Sequence, residues 1–199
     1  RGPKPALSSA TPARLVQTLS NANGWWRDTA QQLLVLRGEK SVAPALTQLA
    51  ASAPDWRTKL HALWTLDGLD AIEPAAVEKA LTDVSPEVRA SAVRLSERWL
   101  GPSTSPGPGT SQTIAASVLK LTADKNWNVR RQLGASIGSL PAAARVDPAV
   151  ALLTKDGADP ISVDAVLTSL SGVESDVLDR LLQNKQAPAP PAPPADAVA

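Results

Sequence analysis

The feature that most constrains this chain is a plan that returns about every thirty residues. It is clearest over residues 23–38, Asn-Gly-Trp-Trp-Arg-Asp-Thr-Ala-Gln-Gln-Leu-Leu-Val-Leu-Arg-Gly. A bulky residue precedes an arginine, a small residue follows three places on, and leucines complete the stripe. At 3.6 residues per turn, Trp26, Ala30, Leu33 and Leu34 fall on one helix face, with Gly24 and Gly38 as punctuation. Arg27, Arg57, Arg89 and Arg130 mark the returns, at intervals of 30, 32 and 41 residues. The last interval contains a Gly/Pro/Ser/Thr run at 101–110 that reads as an exposed insertion, and without it the spacing returns to the same period. Such a period means stacked helical hairpins, each able to bury its apolar side only against its neighbours.

Caps and stripes place the hairpins. Thr11 with Pro12 starts a short helix to about residue 20 that buries Leu15, Val16 and Leu19, and the Trp25/Trp26 helix is its partner. Ser41 caps the next helix, with Val42, Leu46 and Leu49 inward, and Pro54-Asp55 opens its partner, which stops at Asp67-Gly68. A third pair begins at Glu73-Pro74, burying Val77 and Leu81. Its second helix opens with Ser85, Pro86 and Glu87 and turns Val88, Ala92 and Leu95 inward. Ile114, Val118 and Leu121 mark a seventh helix, and Trp127, Val129, Arg130, Leu133 and Ile137 its partner. A fifth pair follows at 147–153 and 159–170, then a last helix at about 174–183. Residues 1–10 read as a poorly anchored lead-in, 11–185 as one helical stack, and 186–199 as a Pro/Ala-rich linker or tail.

Composition narrows the function. Twenty basic against nineteen acidic side chains leave a net charge of +1, which argues against a dedicated nucleic-acid binder. Without cysteine there is no disulfide, thiolate zinc site or covalent c-type haem in this chain, and no apolar run approaches the ~20 residues of a membrane span. The chain opens at Arg1 without a start methionine or signal-peptide apolar region, so a mature product or a piece of something longer is expected.

Two stretches resemble HEAT repeats: Asp83 with Val88-Arg89 and Ala92, and Asp124 with Val129-Arg130 and Leu133. The resemblance spans roughly residues 11–185 and implies a right-handed α-solenoid of about five HEAT-like hairpins. More narrowly, residues 24–31 (Gly-Trp-Trp-Arg-Asp-Thr-Ala-Gln) together with 61–69 (His-Ala-Leu-Trp-Thr-Leu-Asp-Gly-Leu) are similar to a helical-repeat segment of large bacterial proteins. Those proteins also carry a sorbosone-dehydrogenase-like (PQQ dehydrogenase-like) β-propeller and a c-type cytochrome domain. That likeness implies a periplasmic or extracellular redox assembly, with propeller and cytochrome as the neighbouring partners. Neither the propeller nor a Cys-x-x-Cys-His haem motif occurs in this sequence, so any redox chemistry would lie outside it.

The residues offer little to catalysis. His61 is the single histidine, and Asp55 and Asp67, each six residues away, lie well round the helix from it, so an inter-helix or surface role is expected rather than a metal or catalytic one. Arg27, Arg57, Arg89 and Arg130 could form an anion-binding ladder. Asp28, Asp55, Asp83 and Asp124 close by in sequence favour a structural one, pairing with these carboxylates or with neighbouring carbonyls to set repeat register. Trp26, Trp56 and Trp127 read as core or junction filler at matching repeat positions, and Trp25, off the Trp26 stripe, as the best exposed partner contact. No phosphate loop, His-Glu-x-x-His or Gly-x-Ser-x-Gly is present. The expectation is a scaffold or interaction module without catalysis or cofactor of its own, whose partner-binding candidates are Trp25, Arg27, Arg57, His61, Arg89 and Arg130. The alternative is a cofactor-handling protein of the bilin-lyase type.

Overall fold

A computed structural model describes residues 6–101 and 108–186, and every regular element in these is helical. The eleven α-helices among them are α1 (Pro12–Thr18), α2 (Gly24–Leu36), α3 (Ala43–Ser52), α4 (Trp56–Gly68), α5 (Pro74–Ala80), α6 (Pro86–Ser96), α7 (Pro108–Leu119), α8 (Trp127–Ser136), α9 (Val146–Asp156), α10 (Pro160–Leu167) and α11 (Glu174–Gln186). They form an α-solenoid of five successive hairpins, α1/α2 to α9/α10, followed by α11. The second helices pack in a row, α2 on α4, α4 on α6, α6 on α8 and α8 on α10, and α3, α5 and α7 make a parallel outer row. The buried leucines and valines run along this row, Leu15 and Leu34 at one end, Leu63 and Leu66 in the middle, Leu133, Ile137 and Leu152 beyond. There is no single centre, which is the consequence of helices too short to shield both faces alone.

Local chemistry explains most boundaries. Thr11, Asn23, Asp55, Asn126 and Asp159 each accept a backbone N–H of the first turn, satisfying donors a helix start leaves orphaned. Pro12, Pro74, Pro86 and Pro160 stand at first helical positions, where a missing N–H costs nothing. Gly38, just past α2, takes the left-handed conformation (φ 65°) that ends a helix cheaply in glycine. Asp70 does the same after α4 (φ 49°), one of the few residue types that tolerate it.

Four expectations need correcting. The lead-in is tied down over the part described: Leu7 is buried in a 3₁₀ turn (Leu7–Ser9), and the Arg37 guanidinium donates to the carbonyls of Leu7, Ser8 and Ala10. The stretch expected as insertion at 101–110 gives way to helix at Pro108, again a proline in first position; 102–107 lie outside the described residues, as do 1–5 and 187–199. Ser41 sits inside a 3₁₀ turn (Lys40–Val42) rather than capping α3, whose N-cap is Val42. Ser85 is the N-cap of α6 but bonds no first-turn N–H; its hydroxyl donates to the Glu87 carboxylate at 2.6 Å.

Candidate functional site

Counting from the caps rather than from arginine to arginine reveals the true register. The fourth residue of each second helix is Arg27, Lys59, Arg89, Arg130 and Val163. Arg57 is therefore two residues out of step, and Lys59 is the cation of the second hairpin. Each of the three arginines in register donates through Nη1 to two carbonyls of its own inter-helix loop: Arg27 to Asn21 and Ala22, Arg89 to Asp83 and Val84, Arg130 to Asp124 and Lys125, at 2.7–3.2 Å. The other edge of the group reaches into the next hairpin. Arg89 Nε and Nη2 donate to both carboxylate oxygens of Asp124 at 2.7 and 2.8 Å, and Arg130 does the same to Asp156 at 2.7 and 2.5 Å. Lys59 Nζ meets Asp83 at 2.5 Å in the same relation.

These charges are largely withdrawn from water, with only 6% of the Asp124 side chain exposed and 8% of that of Arg130. Burial pushes the Asp124 carboxyl up, but the Arg89 guanidinium and the Asn126 N–H on it win, and it sits below the ordinary range. Hydrogen bonds from Arg130 hold Asp156 low as well, and both arginines are raised in return by their carboxylate partners. The arrangement is a bolt between hairpins, not an anion site. The expected bonds to neighbouring carbonyls are present for Arg27, Arg89 and Arg130, and Arg57 pairs with its own Asp55 at 3.5 Å. Arg89 and Arg130 depart from the expected pairing, because their carboxylates come from the following hairpin.

The first junction lacks its bolt. Ala53 stands where the next hairpin would offer a carboxylate, with backbone angles (φ −60°, ψ 137°) close to those of Asp124 (φ −54°, ψ 142°). Arg27 Nε is accordingly buried without a hydrogen-bond partner. Ala53→Asp should therefore stabilise the protein by about 1 kcal/mol, the net value of a charge-assisted pair where a buried donor already waits. Urea unfolding at pH 7 measures it, and a loss of stability would show that Arg27 is not poised as Arg89 is.

His61, on α4, bonds across to α2: Nδ1 lies 2.7 Å from Gln31 Oε1 and Nε2 3.8 Å from Asp28. Burial, then the nearby Arg27 charge, lower its pKa from the ordinary 6.5 against the opposing pull of Asp28 and Asp55. The unfolded chain thus takes up the proton more readily. Stability should fall as pH drops below about 6.5 and keep falling to the lower folded value. His61→Gln should flatten that slope below about pH 6.5, and urea midpoints of the two proteins measured as pH falls check it.

One group of exposed apolar and aromatic side chains lies at or beside the first turns of the second helices. Trp25, the second residue of α2, is 55% exposed and stands edge-on to Trp26 at 6.0 Å. The Arg57 guanidinium lies 4.6 Å over the Trp56 ring and 3.5 Å from Asp55. Trp127, first in α8 and 47% exposed, carries Arg131 at 3.9 Å over its ring, and Arg131 also reaches Asp159 at 3.4 Å. Val84, before the α6 cap, and Ile161, second in α10, are exposed too. Trp56 and Trp127 occupy matching first positions, while Trp26 is a third residue, half-buried against the core, so the expected three-way match holds for two. Lys59, Asp156, Val84 and Ile161 do not stand out in the sequence, although counting four residues on from Asp55 finds Lys59.

The two segments that carry the narrower resemblance come together on α2 and α4, where Asp28, Gln31, Gln32, Val35, Trp64, Asp67 and Gly68 line an open groove of about 390 Å³. Among the described residues no cluster of three His, Asp or Glu side chains could hold a metal, and no helix is long and apolar enough to cross a membrane. No protein-family model matches this chain, and no curated protein matches it. Among solved structures, a crystal structure of an engineered protein from the Northeast Structural Genomics Consortium is similar at 16% identity and a TM-score of 0.45, covering 87% of this chain and 95% of its own.

Proposed function

We propose that this chain is a non-catalytic scaffold of HEAT-repeat type, which docks a protein partner or neighbouring domain along the first turns of its second helices. The observation that carries the reading is the row Trp25, Trp56 with Arg57, Val84, Trp127 with Arg131, and Ile161. Trp25, Val84, Trp127 and Ile161 stand there exposed, each on its own hairpin, and Trp56, half-buried against the core, carries the exposed Arg57 over its ring. Tryptophan gives much contact area for little ordering entropy, and Arg57 and Arg131 are already held over their rings, so the row is pre-organised. Of the candidates named from sequence, Trp25 and Arg57 belong to this row. Arg27, Arg89 and Arg130 are spent on loop carbonyls, and on carboxylates where these exist, and His61 on the α2–α4 junction. The likeness of residues 24–31 and 61–69 to the helical segment of propeller–cytochrome proteins supports a bacterial periplasmic or extracellular redox assembly as the setting.

The test uses the full chain, immobilised, and extracts of its source cells. A discrete partner retained by the wild type should be lost on the equally folded Trp25→Ser/Trp127→Ser double variant. Retention by both would dismiss the row as the docking edge. A retained partner without c-type haem absorbance would remove the redox setting, and turnover by the isolated chain would remove the scaffold reading.

A further inference from the structure

The C-terminal face of the described stack is built as one more repeat junction. At the earlier junctions, the fifth and eighth residues of each second helix look onto the next second helix. Asp28 and Gln31 of α2 meet His61, the sixth residue of α4. On α8, Arg131 reaches the Asp159 cap of α10, and Gly134 lies so close to Val166 that an added Cβ would meet its Cγ2 at 2.8 Å. Leu63 and Val93 hold the eighth position in α4 and α6, fully buried. On α10 the fourth, fifth and eighth residues are Val163, Asp164 and Leu167, and Leu167 is 54% exposed. Beside it α11 packs on α9 and leaves Leu178 (57%) and Leu182 (48%) in solvent. These are the fifth and ninth residues of α11, matching Thr47 and Ala51 of α3, which line a groove against α5. The last unit of the described stack turns leucines outward, where a capping unit turns polar side chains.

We propose that this face binds an amphipathic α-helix of a partner polypeptide, laid against α10 and α11 as a sixth second helix, with a basic residue opposite Asp164. The charge requirement follows from the register. The bolting cation of the fourth position is replaced by Val163, so the face offers no seat for a carboxylate. Asp164 is exposed, and Glu174 shares the stripe of Leu178 and Leu182. The one arginine of α11, Arg180, is turned to Asp147 of α9. An apolar stripe with acidic flanks selects an apolar stripe with basic flanks. This surface is separate from the first-turn row, and its test does not depend on that row.

The probe is a stapled, fluorescein-labelled peptide of residues 126–140, the chain's own α8, carrying Gln132→Lys at its sixth helical position; the control carries Gln132→Glu. Anisotropy with the full chain should show saturable binding of the lysine peptide, more than about tenfold tighter than that of the glutamate peptide. Asp164→Lys should invert the preference, and Leu167→Glu, at an exposed site, should abolish binding with the circular dichroism unchanged. Absence of binding, indifference to the charge swap, or binding that survives Leu167→Glu would overturn the proposal. So would concentration-dependent self-association removed by Leu167→Glu, which would make a second copy the occupant. Binding seen only after removal of residues 187–199 would make the chain's own tail the occupant and overturn it equally.

Discussion

Replacing Asp124 by alanine is expected to lower the unfolding free energy by about 3 kcal/mol at pH 7. Three hydrogen bonds end on this carboxylate, two from Arg89 and one from the backbone N–H of Asn126 that begins the α8 cap. With the carboxylate gone, the Arg89 Nε and Nη2 donors stay between hairpins without an acceptor, and the cost is mainly that of an unpaired buried charge. The double variant Arg89→Met/Asp124→Leu should therefore cost less than Asp124→Ala alone, since it removes both charges and keeps the volume. The folded carboxyl titrates below its ordinary range, so its contribution is present above about pH 4 and is lost as pH falls through the lower folded value. Urea unfolding of the three proteins at pH 7 and pH 3 reads all of this. A loss under about 1 kcal/mol for Asp124→Ala would reduce the bolt to an ordinary surface pair.

Leu63→Ala should cost about 3 kcal/mol, while Leu167→Ala should change stability by no more than about 0.5 kcal/mol. The two leucines hold the same eighth position in α4 and α10. Leu63 is fully buried where α6 follows, and its truncation leaves a cavity that short, close-packed helices cannot easily collapse. Leu167 stands in solvent, so the same truncation removes little buried area. Chemical denaturation of the pair measures how far one residue's energy depends on its place in the row. Equal losses would mean that Leu167 is covered in solution by the chain itself.

The helices and their pairing were legible because their signals are local. Thr11-Pro12, Pro54-Asp55, Ser85-Pro86 and Asp159-Pro160 announce starts by the conformations proline and short polar side chains prefer, and apolar spacing shows which side must be covered. Arg57 falls out of register because the repeat is kept by helix position, not by residue type. A cation of sufficient reach at the fourth residue meets the next hairpin's carboxylate, and Lys59 does so with a single bond where Arg89 and Arg130 use a two-pronged one. Pro108 carried a helix-start signal that its glycine- and proline-rich neighbours obscured.

By itself the sequence determined that the chain makes short amphipathic helices in pairs, stacked in a row, because capping and periodicity act over a few residues. Tertiary structure alone decided that Arg89 and Arg130 take their carboxylates from the following hairpin, that Ala53 leaves Arg27 Nε unanswered, that Arg37 ties down Leu7, and that Leu63 is buried while Leu167 is not. Each of these depends on which surfaces the stack brings within a few ångströms, at separations near thirty residues in the chain, and no local preference encodes that distance.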